Sequence, residues 1–444
     1  MKKWATICVL LLSLVSVSAR TDGKIFPYQY SIDDLPNGLR VITVPTDYPN
    51  VVALQIVMQV GSRNEVEPGK SGFAHFFEHM MFRGTEKFPA DKYNEILKRA
   101  GVDSNAYTSD DLTVYHKTFS KEDLETILML EADRFQNLKY SVEDFKTEAK
   151  AVLGEYNKNS ANPLRKMLEV LRDTAFTRHT YKHTTMGFLS DIEDMPNQYA
   201  YSLQFFQRFY RPEYATIIVV GDVKPEPVLA LVKKYWSGWE RGQYVAQIPA
   251  DPELTEPKSQ HIDWPAPTLP WVMVAYRGPA YSDEVKDMPT MDVMANLAFS
   301  ESSDLYQRLV IREQKVDQLL ALFSNRRDPY LLTVAARVKD GKDVEYVKEQ
   351  ILKAFLSEKT TPVAEERLEA VKSNLKYSFA LNMDNSEAIA DTLAFYVALR
   401  RTPETINKLY RMYDTITAED VQTMARKYFV ENHRTIVTLA YKQQ

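Results

Sequence analysis

The strongest constraint on this 444-residue chain is that it repeats itself. "FFQRFYRPEYATIIVVGDV", beginning at Phe205, and "MARKYFVENHRTIVTLAY", beginning at Met424, both read as helix, short turn and apolar strand. Superposing Thr216 on Thr435 gives an offset of 219 residues, and the same offset carries "VVALQIVMQVGSRNEV" from Val51 onto "PWVMVAYRGPAYSDEV" from Pro270. One offset serving both ends of two segments argues for a tandem duplication. Between the copies, prolines at 249, 252, 257, 265, 267 and 270 mark a connector. The expected organisation is therefore a domain over 20–245, a linker over 246–269 and a related domain over 270–444. Each half mixes strands (Leu39–Val44, Val51–Val60, Thr113–Thr118, Thr216–Val220) with helices that do not alternate strictly with them. This predicts α+β layering rather than a doubly wound parallel sheet. Ser120 and Ser141, each three residues before an Asp, are expected to cap two of the helices.

The first residues add an address. Lys2 and Lys3, an apolar run from Trp4 to Val15 and the small-residue site Val17-Ser18-Ala19 read as a secretory signal peptide over 1–19, cut after Ala19. No later segment has the length of an apolar bilayer span, so no membrane span is expected after cleavage. The single cysteine, Cys8, lies inside the signal, which leaves no disulfide and no thiolate ligand downstream. An exported chain without disulfides or glycosylation sequons fits a bacterial periplasm. Formal net charge is −5 with basic residues dispersed, which disfavours nucleic-acid binding.

"HFFEH" at 75–79 carries the chemistry. On a helix, residues i and i+4 share a face, so His75 and His79 can offer both imidazoles to one metal ion, with Glu78 beside them. The plain alternative is two unrelated histidines on a helix. A catalytic zinc also needs a third protein ligand, and "FKTEAKAVLGEY" offers Glu148 and Glu155, seven apart on one helix face. Spacing alone leaves both open.

The run "GSRNEVEPGKSGFAHFFEHMMFRGTEKFP", followed by "GVDSNAYTSDDLTVYH" and "LEADRFQNLKYSVEDFKTEAKAVLGEY", resembles the pitrilysin/insulinase-like (inverzincin) zinc metallopeptidases, of the mitochondrial-processing-peptidase type and its bacterial branch. The resemblance extends over nearly all of the chain after the signal. It implies two homologous domains facing each other and a zinc-dependent endopeptidase acting on peptides or unfolded segments. It implies one Zn²⁺ per chain held by His75, His79 and Glu155, Glu78 as general acid–base, and Glu148 supporting the ligands from behind. Asn105, Ala106 and Tyr107 match the strand on which the family docks peptide. The offset of 219 puts Met294, Leu297, Ala298 and Asn374 opposite His75, Glu78, His79 and Glu155, so no zinc site is expected in the second half.

One departure stands out. Active relatives often carry Arg and Tyr seven residues apart in the second half. Here an ungapped match puts Val310 and Asp317 there. The expectation that follows is a paralogous partner subunit, or a second copy, supplying the missing substrate contacts. A catalytically silent peptide-binding or scaffold subunit is the competing reading. His179 and His183 are also four apart, but lie in a loop-like stretch with no glutamate between them and read as structural; His116, His261 and His433 are isolated.

Overall fold

A computed structural model describes residues 24–442. The expected signal peptide lies outside them. The first half runs β1 (Ser31–Asp34), β2 (Arg40–Pro45), β3 (Val51–Met58), α1 (Phe73–Met80), α2 (Ala90–Arg99), β4 (Asp103–Thr108), β5 (Thr113–Ser120), α3 (Leu124–Asn137), α4 (Val142–Ser160), α5 (Pro163–Ala175), α6 (Leu189–Asp194), α7 (Tyr199–Phe209), β6 (Ala215–Gly221) and α8 (Pro225–Trp236). The second half runs β7 (Lys258–Trp264), β8 (Trp271–Arg277), α9 (Asp287–Phe299), α10 (Asp304–Tyr306), β9 (Val316–Phe323), β10 (Leu331–Val338), α11 (Val344–Thr360), α12 (Glu365–Leu381), α13 (Ser386–Arg400), α14 (Glu404–Thr415), α15 (Ala418–Tyr428) and β11 (Arg434–Tyr441). The short α10 continues into a wider π-helical turn over Gln307–Arg312.

The duplication is visible in the sheets. The first is ordered β1-β2-β6-β3-β5-β4, the second β7-β11-β8-β10-β9. Removing β1 leaves two sheets of one topology, each with a single parallel pair, β2 with β6 and β7 with β11. The register corrects the single offset. Thr216 pairs with Val57 and Thr435 with Ala275, so β3 and β8 are 218 residues apart, not 219. A one-residue slip exchanges the two faces of a strand, so the distinction decides which side chains meet which layer. Neither spacing gives the second half a metal ligand: Val293 or Met294, Asn296 or Leu297, Leu297 or Ala298, and Ser373 or Asn374 stand in for the four polar positions.

The expected linker also needs correction. Lys258–Trp264, inside 246–269, form strand β7 at the edge of the second sheet. The stretch "SQHIDW" has no proline and can pair, whereas the prolines on either side cannot donate to a ladder.

The halves are interlocked by exchanged helices. On the face of the first sheet that carries Ile42, Val44, Ala53, Val57, Ile218 and Val220, the packing partner is α13 of the second half, through Ile389, Leu393 and Val397. Gln55 and Gln59 donate from that sheet to Asp391 Oδ1 (2.6 Å) and the Ala398 carbonyl (2.8 Å). In return, α5 of the first half lays Met167, Leu171 and Ala175 on the second sheet, against Met273, Ala275, Val437 and Leu439. Burial on both faces explains why Ile217, Ile218, Val219 and Val220 follow one another in β6 instead of alternating with polar residues.

Ser141 caps α4 as expected: its hydroxyl accepts from Asp144 N at 3.0 Å while its own N–H donates to the Asp144 carboxylate at 3.1 Å. Ser120 does not cap α3. A 3₁₀ turn over Lys121–Asp123 intervenes, and the Ser120 hydroxyl turns to the Glu122 carboxylate.

Candidate metal centre

Helix α1 starts where the backbone needs glycine. Gly72 has φ +91°, and a Cβ there would meet Ile192 Cδ1 at 2.4 Å. No side chain at the N-cap serves the helix. Glu65 does so from outside, accepting from Gly72 N at 2.8 Å and Ala74 N at 2.6 Å. Burial raises the Glu65 carboxyl to about 8 although both backbone hydrogen bonds oppose the rise, and it serves the helix as the acceptor of two buried N–H groups. Replacing Glu65 with Ala leaves them without an acceptor. The expected outcome is a loss of about 1–3 kcal/mol in a urea unfolding experiment; an unchanged midpoint would show that α1 does not depend on this carboxylate.

The helix buries Phe73, Phe76, Phe77 and Met80, with Met81 just beyond its last turn, in the core of the first half. Phe77 stacks on Phe205 of α7 at 5.2 Å. That anchoring turns the remaining face, with His75, Glu78 and His79, away from the core and towards α4. Phe145, Ala149, Val152 and Tyr156 of α4 are buried as a stripe, which turns Glu148 and Glu155 towards α1.

The geometry separates the two glutamates that spacing left open. Glu155 Oε2 lies 3.4 Å from His79 Nε2 and 3.7 Å from His75 Nε2. Donor atoms around a tetrahedral zinc at about 2.1 Å stand about 3.4 Å apart, so the three residues fit that ion. Among the described residues this is the one group of three such side chains whose ligand atoms converge, all within 4.8 Å. Glu148 instead contacts the far nitrogen, with Oε1 2.9 Å from His79 Nδ1. An ionised carboxylate only accepts, so Nδ1 carries the proton and Nε2 presents its lone pair on the Glu155 side.

Protonation follows from these contacts. The hydrogen bond to Glu148 raises the His79 pKa against the opposing effect of burial. Burial, then the neighbouring His79, push His75 down to about 4, so it is the neutral imidazole a metal requires. Burial raises Glu78 above the usual carboxylate range, opposed by the Thr108 hydroxyl, which donates to Glu78 Oε2 at 2.6 Å. The His79 hydrogen bond, with Arg83 assisting, holds Glu148 low.

Three contributors were not singled out from sequence. Arg83 donates through Nε at 2.9 Å and through Nη2 to Glu148 Oε2, fixing the other oxygen on His79. Thr108 holds Glu78, and Asn159 donates to Glu155 Oε1 at 3.4 Å. Arg83 and Asn159 each stand four residues after a site residue, His79 and Glu155, so helical spacing carried a signal for both. Nothing local pointed Thr108 at Glu78.

Asn105, Ala106 and Tyr107 lie on β4, the edge strand of the first sheet, paired on one side to β5. A depression of about 380 Å³ joins this edge to the site, lined by Glu78, His79, Phe82, Arg83, Ala90, Asn105 and Glu148. In the second half Val310 falls in the π-helical turn, and the Asp317 carboxylate pairs with Arg337 at 2.7 Å. His179 accepts from Tyr181 N through Nδ1 and donates through Nε2 to Asp328 at 2.9 Å, and His183 contacts the Thr184 carbonyl at 3.0 Å; the two do not converge with a third ligand.

A pair of matched α+β domains, one of them bearing the histidine pair and a convergent carboxylate, defines a class of metallopeptidase-like proteins. The chain belongs to the insulinase family of peptidases, family M16: the model of its insulinase domain matches residues 40–188, and that of the M16 inactive domain matches 199–375. Zinc protease PqqE of Helicobacter pylori is 28% identical over 96% of this chain and 96% of its own length. An Arabidopsis thaliana protein named a probable mitochondrial-processing peptidase subunit beta is 27% identical over 90% of this chain and 76% of its own. The crystal structure of a protease from Helicobacter pylori superposes with a TM-score of 0.87 at 26% identity, covering 93% of this chain and 99% of that one.

Proposed function

We propose that this chain is a zinc-dependent metalloendopeptidase that hydrolyses peptides or unfolded protein segments, with one Zn²⁺ held by His75, His79 and Glu155. The observation that carries this reading is the approach of both imidazole Nε2 atoms to one Glu155 oxygen, with the Glu78 carboxyl on the same helix face. Zinc bound there supplies Lewis acidity, making water easier to deprotonate and the scissile carbonyl easier to attack. Glu78 takes the proton of the attacking water and returns it to the leaving amine. Thr108 keeps the Glu78 carboxyl in place, and Glu148, clamped by Arg83, keeps His79 in the tautomer that presents Nε2. The free edge of β4 from Asn105 to Tyr107 holds the peptide by backbone pairing, which tolerates varied sequence.

The chain is exported to a bacterial periplasm, on the strength of its first 19 residues. Among the described residues no helix is long and apolar enough to cross a membrane. Val310 and Asp317 at the expected Arg–Tyr positions favour a paralogous partner or second copy completing the substrate site, and keep the peptide-binding subunit as the second reading. Metal analysis with an unbiased peptide-cleavage profile tests the choice. The expected result is one zinc per chain and cleavage that a chelator abolishes and zinc restores. Stoichiometric zinc without cleavage, alone or with a co-encoded paralogue, would favour the silent subunit; absence of zinc would end the peptidase reading.

A further inference from the structure

The helices of the second half enclose a cavity of about 460 Å³ that the proposed chemistry does not use. Its walls are the end of α9, α10 with the π-helical turn that follows it, one face of α11, the loop from α11 to α12 and the first turn of α12. The cations around it lack partners. Arg308, in the π-helical turn, brings a buried Nε to the wall with no acceptor for it among the described residues. Lys353 of α11 forms no ion pair among them. Arg367 of α12 donates to the Leu297 carbonyl at 2.8 Å and stands 3.9 Å from Asp304, a carboxylate that is 98% exposed. Gln350 is only 6% exposed, lines the same space, and its amide meets no partner among the described residues.

Buried donors without acceptors are costly, and here a guanidinium and an amide from two different elements line one space. An oxyanion satisfies both, and guanidinium groups suit carboxylate and phosphate in particular. Glu358 does not cancel the cations. Burial, opposed by Arg367, raises its carboxyl to about 7, so near neutral pH it is partly protonated and able to donate. The contrast with the first half is one of sign: Glu148 reaches from α4 to His79 of α1, whereas Arg367, 219 residues after Glu148, reaches from α12 to Leu297 of α9. A bare oxyanion would leave most of the volume empty, and Leu297, Leu305 and Val363 add an apolar lining.

We propose that this cavity binds a small organic anion, its carboxylate or phosphate head on Arg308, Gln350 and Lys353 and its apolar body against Leu297, Leu305 and Val363. The inference stands apart from the peptidase reading and gives the half without a metal pair a ligand of its own.

Calorimetric titration of the full chain with hexanoate, phenyl phosphate and inorganic phosphate tests it, with hexylammonium as a cation of similar shape. At least one of the two organic anions should bind saturably, one per chain, and hexylammonium should not. Tighter binding of hexanoate identifies the head as carboxylate, tighter binding of phenyl phosphate as phosphate. Arg308→Gln and Lys353→Gln should each weaken that binding about tenfold or more. Lys353 is exposed, so its replacement keeps the test open should Arg308→Gln fail to fold. His75→Ala, which breaks the proposed zinc set, should leave the affinity unchanged; an affinity that falls with it places the anion on the metal and overturns the site. Equal binding of hexylammonium, inorganic phosphate binding as tightly as phenyl phosphate, saturation that survives both cation substitutions, or no saturation by any probe overturns it as well.

Discussion

Glu78→Gln is expected to lower kcat by about 10²–10⁴-fold while the protein keeps its zinc. The substitution preserves size and lets the amide oxygen go on accepting from Thr108 Oγ1, which sits 2.6 Å from Glu78 Oε2. What disappears is the ability to accept a proton. Glu78 is not among the three converging donors, so metal content should match wild type by elemental analysis. The two readouts separate a chemical role from a structural one. Turnover near the wild-type rate with zinc bound would remove Glu78 as general base. Loss of zinc together with turnover would instead make it a ligand or a support for one.

The largest stability effect is expected at Asp110, where the halves meet. Its carboxylate is 2% exposed and receives Arg172 of the first half, Arg326 of the second and the Ser62 hydroxyl at 3.0 Å. Asp110→Asn leaves two buried guanidinium groups facing a neutral amide. The expected cost is about 3–5 kcal/mol, because an uncompensated buried charge is far worse than an absent pair. An unfolding free energy from urea titration lowered by less than a quarter of this would show that the cluster relaxes around the change. Burial alone would raise the Asp110 carboxyl, but Arg172 and Arg326 outweigh it and hold it well below the usual range. A depressed folded pKa stabilises fully above the unfolded carboxylate value, about 4, and the benefit is lost as pH falls below it. The acid limb of the stability profile should therefore be shallower in Asp110→Asn than in wild type. An unchanged acid limb would show that Asp110 does not contribute to it.

Legibility in the sequence followed distance along the chain. The imidazole pair is a matter of one helical turn, and the helix around it is announced by Phe73, Phe76 and Phe77 on the opposite face. Ser141 was readable as a cap because its partner Asp144 is three residues away. Ser120 offers the same local pattern and fails, because a 3₁₀ turn delays the start of α3 to Leu124. The repeat was legible in its strands but misplaced by one residue at β3 and β8, since apolar runs buried on both faces give no alternation to fix register. Strand β7 was hidden by its proline-rich flanks.

What the sequence determined by itself is local and periodic: two related α+β halves, an imidazole pair with a glutamate on one helix face, and a later helix with two carboxylates in step. Beyond what the family resemblance implied for Glu155 and Glu148, tertiary structure alone decided that the Thr108 hydroxyl holds Glu78, and that α5 and α13 cross over to cover each other's sheets. Hydrogen bonds and packing between residues tens to hundreds of positions apart leave no period in the chain. They exist only once burial of the shared apolar faces has set one layer against another.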